Sequence, residues 1–328
     1  MYKINRYESS SAENTEVSVF SAFFSAFFER TDLTMIQDRE SMTAKLCAFA
    51  RAWHSNKATV KVFDDYLAFD LMGKEEYDET KQFIGEGFAD LGGADTEGFL
   101  NKYISPIILS RIHFTEGRLR KFSENKNVQY VICGAGADTF SFRNDNPDVE
   151  IFEIDHPDTQ RYKLERIKEL EWNIRENVHF VPVDFEKERM TEKLISAGFD
   201  QNKPTFFSIL GVSYYLTLPV FTETLNQIAE LSVDGSVLAF DYPRRGGNFS
   251  ERVEVLEEIT ESLGEKMQGG YDYSDVSRAL YSLGFQIDTY LTPQKIQKEY
   301  FHGRDDGMKA FENVHLLSAV YTGGLVFE

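Results

Sequence analysis

From Gln129 onward, short apolar runs alternate with longer stretches in which apolar residues recur at helical spacing. That alternation is the pattern of parallel strands joined by crossover helices. The runs "QYVICG", "VEIFEID", "VHFVPVD", "TFFSILGV" and "SVLAFDYP", beginning at Gln129, Val149, Val178, Thr205 and Ser236, read as strands. "PDTQRYKLERIKELEWNI" and "PVFTETLNQIAEL" read as helices between them, and "GFQIDTYLT" with "VHLLSAVYTG" adds a final antiparallel pair at the sheet edge. The expected fold is α/β, a doubly wound, mostly parallel seven-stranded sheet.

Before Gln129 the pattern is helical: "DRESMTAKLCAFARAWHS", then "KVFDDYLAFDLMG", then "ILSRIHFTEGRLRKF". The chain is therefore divided into a helical front section, residues 1–110, and an α/β body, residues 111–328. Such a section either caps the cleft as a lid or packs as ordinary core. Its densest aromatic run, "FSAFFSAFF" from Phe20 to Phe28, fits helix core, and alternatively the wall of an apolar acceptor pocket. The glycine pairs Gly92-Gly93, Gly246-Gly247 and Gly269-Gly270 mark loops.

With 328 residues, 42% of them hydrophobic, the chain can bury a sizeable core. A net charge of −19 argues against general binding to nucleic acid or anionic membrane, which needs clustered Lys and Arg. Arg244-Arg245 reads as solvated surface. No run approaches the roughly 18 apolar residues of a membrane span, and the first residues do not read as a signal segment, so a soluble cytoplasmic protein is expected. Cys47 and Cys133 lack CxxC spacing and read as buried thiols in a reducing compartment. Neither a disulfide framework nor a metal site is expected. The oligomeric state is not legible.

The chemistry centres on "CGAGAD". Gly134 and Gly136 follow the first strand, where a doubly wound sheet binds its ligands, and glycine lets a ligand approach the main chain closely. A dinucleotide fingerprint wants a third small residue, but Thr139 stands there behind Asp138, and an acid is a poor neighbour for a pyrophosphate. S-adenosylmethionine, which carries no phosphate, suits the turn better. A nicotinamide-dependent oxidoreductase is the alternative enzyme, disfavoured also by the lack of a Tyr-x-x-x-Lys pair at "YYLTLP". Asp155 ends the second strand, where an acid accepts hydrogen bonds from both ribose hydroxyls. Asp184 and Phe185 after the third strand pair an acceptor for an adenine amine with an apolar face for its ring.

The order "SRIHFTEG", "YVICGAGADTFSFR", "FEIDHP", "FVPVDF", "LGVSYYLT", with "SMTAKLCAFARAW" and "VFDDYLAFDLMG" in front, resembles the leucine carboxyl methyltransferase family. That family includes bacterial S-adenosylmethionine-dependent O-methyltransferases of the polyketide-tailoring type. The resemblance runs from about Ser41 to the C-terminus and implies a Rossmann-like class I methyltransferase fold. It also implies that Arg111 pairs with the methionine carboxylate, that Gly134 and Gly136 lie under the methionyl part and that Asp138 is the acid of "GAGxDT". By the same likeness Asp155 holds the ribose, Asp184 and Phe185 the adenine, and Tyr215 is the family tyrosine. Leu210 is carried over as a cofactor-binding position, standing where eukaryotic members have a glutamate that faces the cofactor, as in bacterial "LGVxxYL" members, which disfavours a protein phosphatase tail as substrate.

The expected activity is transfer of a methyl group to a carboxylate or hydroxyl of a small molecule, independent of metal. Tyr215, like Tyr214 at the mouth of the cleft, is the candidate to orient the acceptor. His113 and His156 are expected to be structural. A cofactor-binding protein that acts by interaction alone is the reading from another class, kept open by Leu210.

Overall fold

The computed structural model describes residues 42–87, 95–185, 187–246, 250–262 and 266–323. The Phe20–Phe28 run, Gly92-Gly93 and Gly247 lie outside the described residues. Seven strands form one sheet: β1 Val128–Cys133, β2 Val149–Asp155, β3 Val178–Pro182, β4 Thr205–Ile209, β5 Val237–Pro243, β6 Phe285–Leu291 and β7 Val314–Tyr321. Their spatial order is β3-β2-β1-β4-β5-β7-β6. β1 to β5 run parallel, while β7 is antiparallel to both β5 and β6. The order reverses beside β1, and the carboxyl ends of β1 and β4 open a crevice there.

The strand patterns follow from position. β1 and β5 are buried at every residue, as continuous apolar runs under helices on both faces must be. β6, at the edge, exposes Gln286 and Asp288 in alternation. Two core clusters pack the sheet, one around Phe152, Phe207 and Phe240 and one around Tyr130, Ile151 and Phe206.

The helices used below are α1 Met42–Lys57, α2 Ala68–Met72, α3 Lys74–Gly87, α4 Ser105–Phe122, α5 Pro157–Glu169, α6 Met190–Ser196, α7 Leu218–Leu231 and α8 Glu251–Ser262. A third core cluster joins α1, α3 and α4 to Val253, Leu256 and Ile259 of α8. α4 runs through position 110, where the sequence reading divides the chain. It is preceded without a break by Thr96–Phe99 and a π-helical turn, Leu100–Ile104. Pro106 has no N–H to donate to the carbonyl four residues back, which favours a widened turn just before it.

The helical reading of "KVFDDYLAFDLMG" is corrected in its first half. Only Ala68–Met72 is α-helical. Upstream, side chains of α1 capture the backbone: the Val62 N–H donates to His54 Nε2 (2.9 Å) and the Asp65 N–H to Ser55 Oγ (2.7 Å). Those bonds replace helical ones. Among the described residues no helix is long and apolar enough to cross a membrane.

Two buried histidines give a pH prediction. Burial pulls His54, and also His315 stacked between Tyr242 and Tyr290, down to a pKa of about 4. Unfolded histidine titrates near 6.5, so between pH ~6.5 and ~4 the unfolded chain binds more protons and stability falls as pH falls. The urea midpoint should decline through that window, less so in His315→Gln. A midpoint equally steep in the variant would remove His315 from the account.

Candidate functional site

The crevice holds a cavity of about 320 Å³. Its floor is the turn after β1. Gly134 sits at φ +75°, where a Cβ would lie 2.6 Å from Val212 Cγ2, so only glycine lets this turn pack on the loop after β4. The N–H groups of Gly134 and Ala135 both donate to the Ile154 carbonyl (2.9 and 3.1 Å), tying the turn to β2. Asp155 reinforces this tie by accepting from the Gly136 N–H (2.5 Å) and the His156 N–H (2.7 Å). Burial pushes the Asp155 carboxyl above the usual aspartate range, and the two amide bonds partly oppose the push.

Arg111, on α4, reaches the other side. Its Nη1 donates to Asp241 Oδ2 (3.3 Å) and its Nη2 lies 3.7 Å from Cys47 Sγ. Gly211, at φ +74°, stands over the guanidinium: a Cβ there would come within 2.7 Å of both terminal nitrogens. Asp241 is fully buried near the end of β5, and its second oxygen accepts from the Gly211 N–H (2.7 Å). Arg111 Nε, buried, has no hydrogen-bond partner among the described residues, while the buried Tyr214 hydroxyl lies against Asp241. An orphaned buried donor costs about 1–3 kcal/mol, so the site is short of an acceptor. A ligand carboxylate is the group that would satisfy it.

Beneath the turn runs a buried polar chain. Asp65 accepts from Arg51 Nη1 (2.8 Å) and from Thr139 Oγ1 (2.5 Å), while Arg51 Nη2 donates to the Ala137 carbonyl (2.7 Å). Arg143 continues it, donating to Thr139 and, through two nitrogens, to Glu116. The helical front section is thereby fastened to the glycine turn.

Of the residues singled out in the sequence, Arg111, Gly134, Gly136, Asp138, Asp155, Leu210 and Tyr215 line the one cavity. Asp138 also accepts from the Phe140 N–H (2.6 Å), closing the turn. Asp184 and Phe185 are not among its lining residues. They follow β3, next to Asp155 through the Val183 N–H to Asp155 carbonyl bond (2.8 Å), and Phe185 is 48% exposed. His113 and His156 are outside the lining too: His113 contacts the Val62 carbonyl and His156 Nδ1 accepts from the Asp158 N–H at the start of α5. Cys133 is buried as expected, but Cys47 is only partly so, because it sits on the face of α1 that borders the cavity.

Sequence reasoning missed Gly211, Asp241 and the Arg51–Asp65 pair. An acid inside the apolar run "SVLAFDYP" was the available signal for Asp241.

Residues 44–229 match the profile of leucine carboxyl methyltransferases. The chain belongs to the leucine carboxyl methyltransferase family. As a member it is a methyltransferase, and S-adenosylmethionine is the methyl donor. It is 34% identical over 305 residues to YktD of Bacillus subtilis (strain 168), an inferred S-adenosyl-L-methionine-dependent methyltransferase, covering 87% of this chain and 99% of that one. An inferred methyltransferase of Mycolicibacterium smegmatis is 29% identical over 249 residues, 75% of this chain and 76% of that one. Two solved structures share the fold: an inferred methyltransferase from Thermobifida fusca (TM-score 0.53, 13% identity, 90% of this chain and 100% of that one) and a protein from Streptomyces avermitilis (TM-score 0.54, 10% identity, 87% and 99%). The nicotinamide reading of the glycine turn is set aside for this methyltransferase.

Proposed function

We propose that this S-adenosylmethionine-dependent methyltransferase carries its methyl group to a carboxylate or hydroxyl oxygen of a small molecule. The observation behind the reading is convergence. Residues from α4 and from the loops after β1, β2 and β4 line one cavity beyond the strand ends, with an arginine, an acid and bare glycine backbone on its floor.

In this reading Arg111 takes the methionine carboxylate, through Nε, which has no partner among the described residues. Gly134 and Gly136 let the methionyl part lie against the main chain, and Asp138 keeps that turn closed. Asp155 turns its oxygens to the ribose hydroxyls, and Asp184 with the flat face of Phe185 receives the adenine beside it. Bound S-adenosylmethionine supplies a methyl group already activated by its sulfonium. What remains for the chain is alignment and the exclusion of water. Leu210 faces the cofactor, and Tyr215 borders the acceptor's position, where its hydroxyl orients the receiving oxygen. A carboxylate is ionised at neutral pH and needs no base, whereas a hydroxyl relies on that oriented hydrogen bond. The described helices of the front section serve as the lid, with Thr43, Ala44 and Cys47 of α1 lining the same cavity.

Calorimetric titration with S-adenosylmethionine, S-adenosylhomocysteine and NADH tests the donor site. Micromolar binding of the first two and none of the third is expected, followed by transfer of labelled methyl to carboxylates or phenols. Binding of NADH alone, or methyl appearing only on nitrogen or carbon, would sink the proposal.

A further inference from the structure

The cavity is two-sided. The charged groups of its lining gather on the floor, while the opposite wall is mainly apolar: Ile104 and Ile107 from the π turn and α4, Leu256 and Ile259 from α8, and Met267 beyond it, with the hydroxyls of Tyr103 and Thr260 beside them. These residues belong to the core cluster of the helical section, with Met267 and Leu210 packed against it. The wall is thus an opening into a hydrophobic core.

Among the described lining residues no charge is left over to serve an acceptor on that side. Both lining arginines are engaged by buried acids, Arg51 by Asp65 at 2.8 Å and Arg111 by Asp241 at 3.3 Å. Asp138 and Asp155 belong to the floor, where their oxygens also accept from backbone N–H groups. The helix that supplies Leu256 and Ile259 carries glutamates at 251, 254, 257, 258 and 261, and the whole chain has a net charge of −19. An anionic body entering here would lose its hydration and meet negative potential.

We infer that the α4–α8 wall is the acceptor pocket, that it takes a lipophilic molecule whose body is uncharged, and that Leu256 and Met267 determine its specificity. The inference rests on the methyl-transfer reading, since the acceptor must lie beside the donor floor. Apolar burial supplies the affinity, at roughly 25 cal/mol per Å². The polar floor supplies only orientation.

Two fluorescent probes with one skeleton test it: neutral N-phenyl-1-naphthylamine and its sulfonate, 8-anilinonaphthalene-1-sulfonate. Both are titrated into protein saturated with S-adenosylhomocysteine, so that the donor floor is filled. The neutral probe should bind saturably and at least tenfold more tightly than the sulfonate. Met267→Gln and Leu256→Ala should each weaken it fivefold or more, with affinity for S-adenosylhomocysteine unchanged. Equal or tighter binding of the sulfonate, no saturable binding of the neutral probe, or indifference to both substitutions overturns the inference. Failure to bind S-adenosylhomocysteine at all would instead count against the donor reading.

Discussion

Asp65→Ala should destabilise the protein by about 3–5 kcal/mol, the usual consequence of removing one partner of a buried ion pair. Asp65 is 1% exposed and Arg51 4% exposed. The carboxylate accepts from Arg51 and Thr139 and lies 3.2 Å from Arg143 Nε. Without it Arg51 keeps, among the described residues, the carbonyls of Ala137 and Cys47. A guanidinium in that position has lost its water without regaining a counter-charge. Because Ala137 and Thr139 belong to the glycine turn, donor binding should weaken together with stability. Asp65→Asn retains an acceptor but not the charge, so it should fall between. Urea unfolding of the three proteins is the check, and an alanine variant within 1 kcal/mol of the parent would show that the pair is dispensable.

Arg111→Ala should weaken S-adenosylhomocysteine binding on the order of a hundredfold, which corresponds to about 2.7 kcal/mol for a charge-assisted contact. Arg111→Lys keeps the charge but loses the planar fork, and a loss of roughly tenfold is expected. The alanine variant also leaves Asp241 buried without its cation, so affinity alone does not separate contact from distortion. 5′-Methylthioadenosine separates them, because it lacks the amino-acid portion. If Arg111 holds the carboxylate, its affinity should stay within about twofold in both variants. Parallel losses for the two ligands would mean that Arg111 shapes the cavity rather than meeting the ligand. Gly211 gives the same residue a second handle. Its missing Cβ leaves room for the guanidinium, so Gly211→Ala should resemble Arg111→Lys in weakening only the ligand that has a carboxylate.

Much of this was legible in the chain. Strand positions followed from apolar runs, because strands buried on both faces have no polar alternation to blur them. β2 is Val149–Asp155, the whole of the predicted "VEIFEID". The glycine turn and Asp155 were legible because they are local: a ligand site at a strand end draws on residues within a few positions of it. "KVFDDY" misled for the opposite reason. Its helical pattern is real, but His54 and Ser55 of the preceding helix take its backbone bonds.

By itself the sequence determined the order of elements, the mostly parallel sheet, the family and the residues that form each strand-end loop. These depend on periodicity and on neighbours in the chain. Only the tertiary structure decided that Asp241, 130 residues after Arg111, is its counter-charge, that Asp65 fastens the front section to the glycine turn, and that α8 closes the apolar wall opposite the floor. A buried charge is tolerated only beside its partner. Which partner that is depends on how the layers pack, and no local pattern of residues records it.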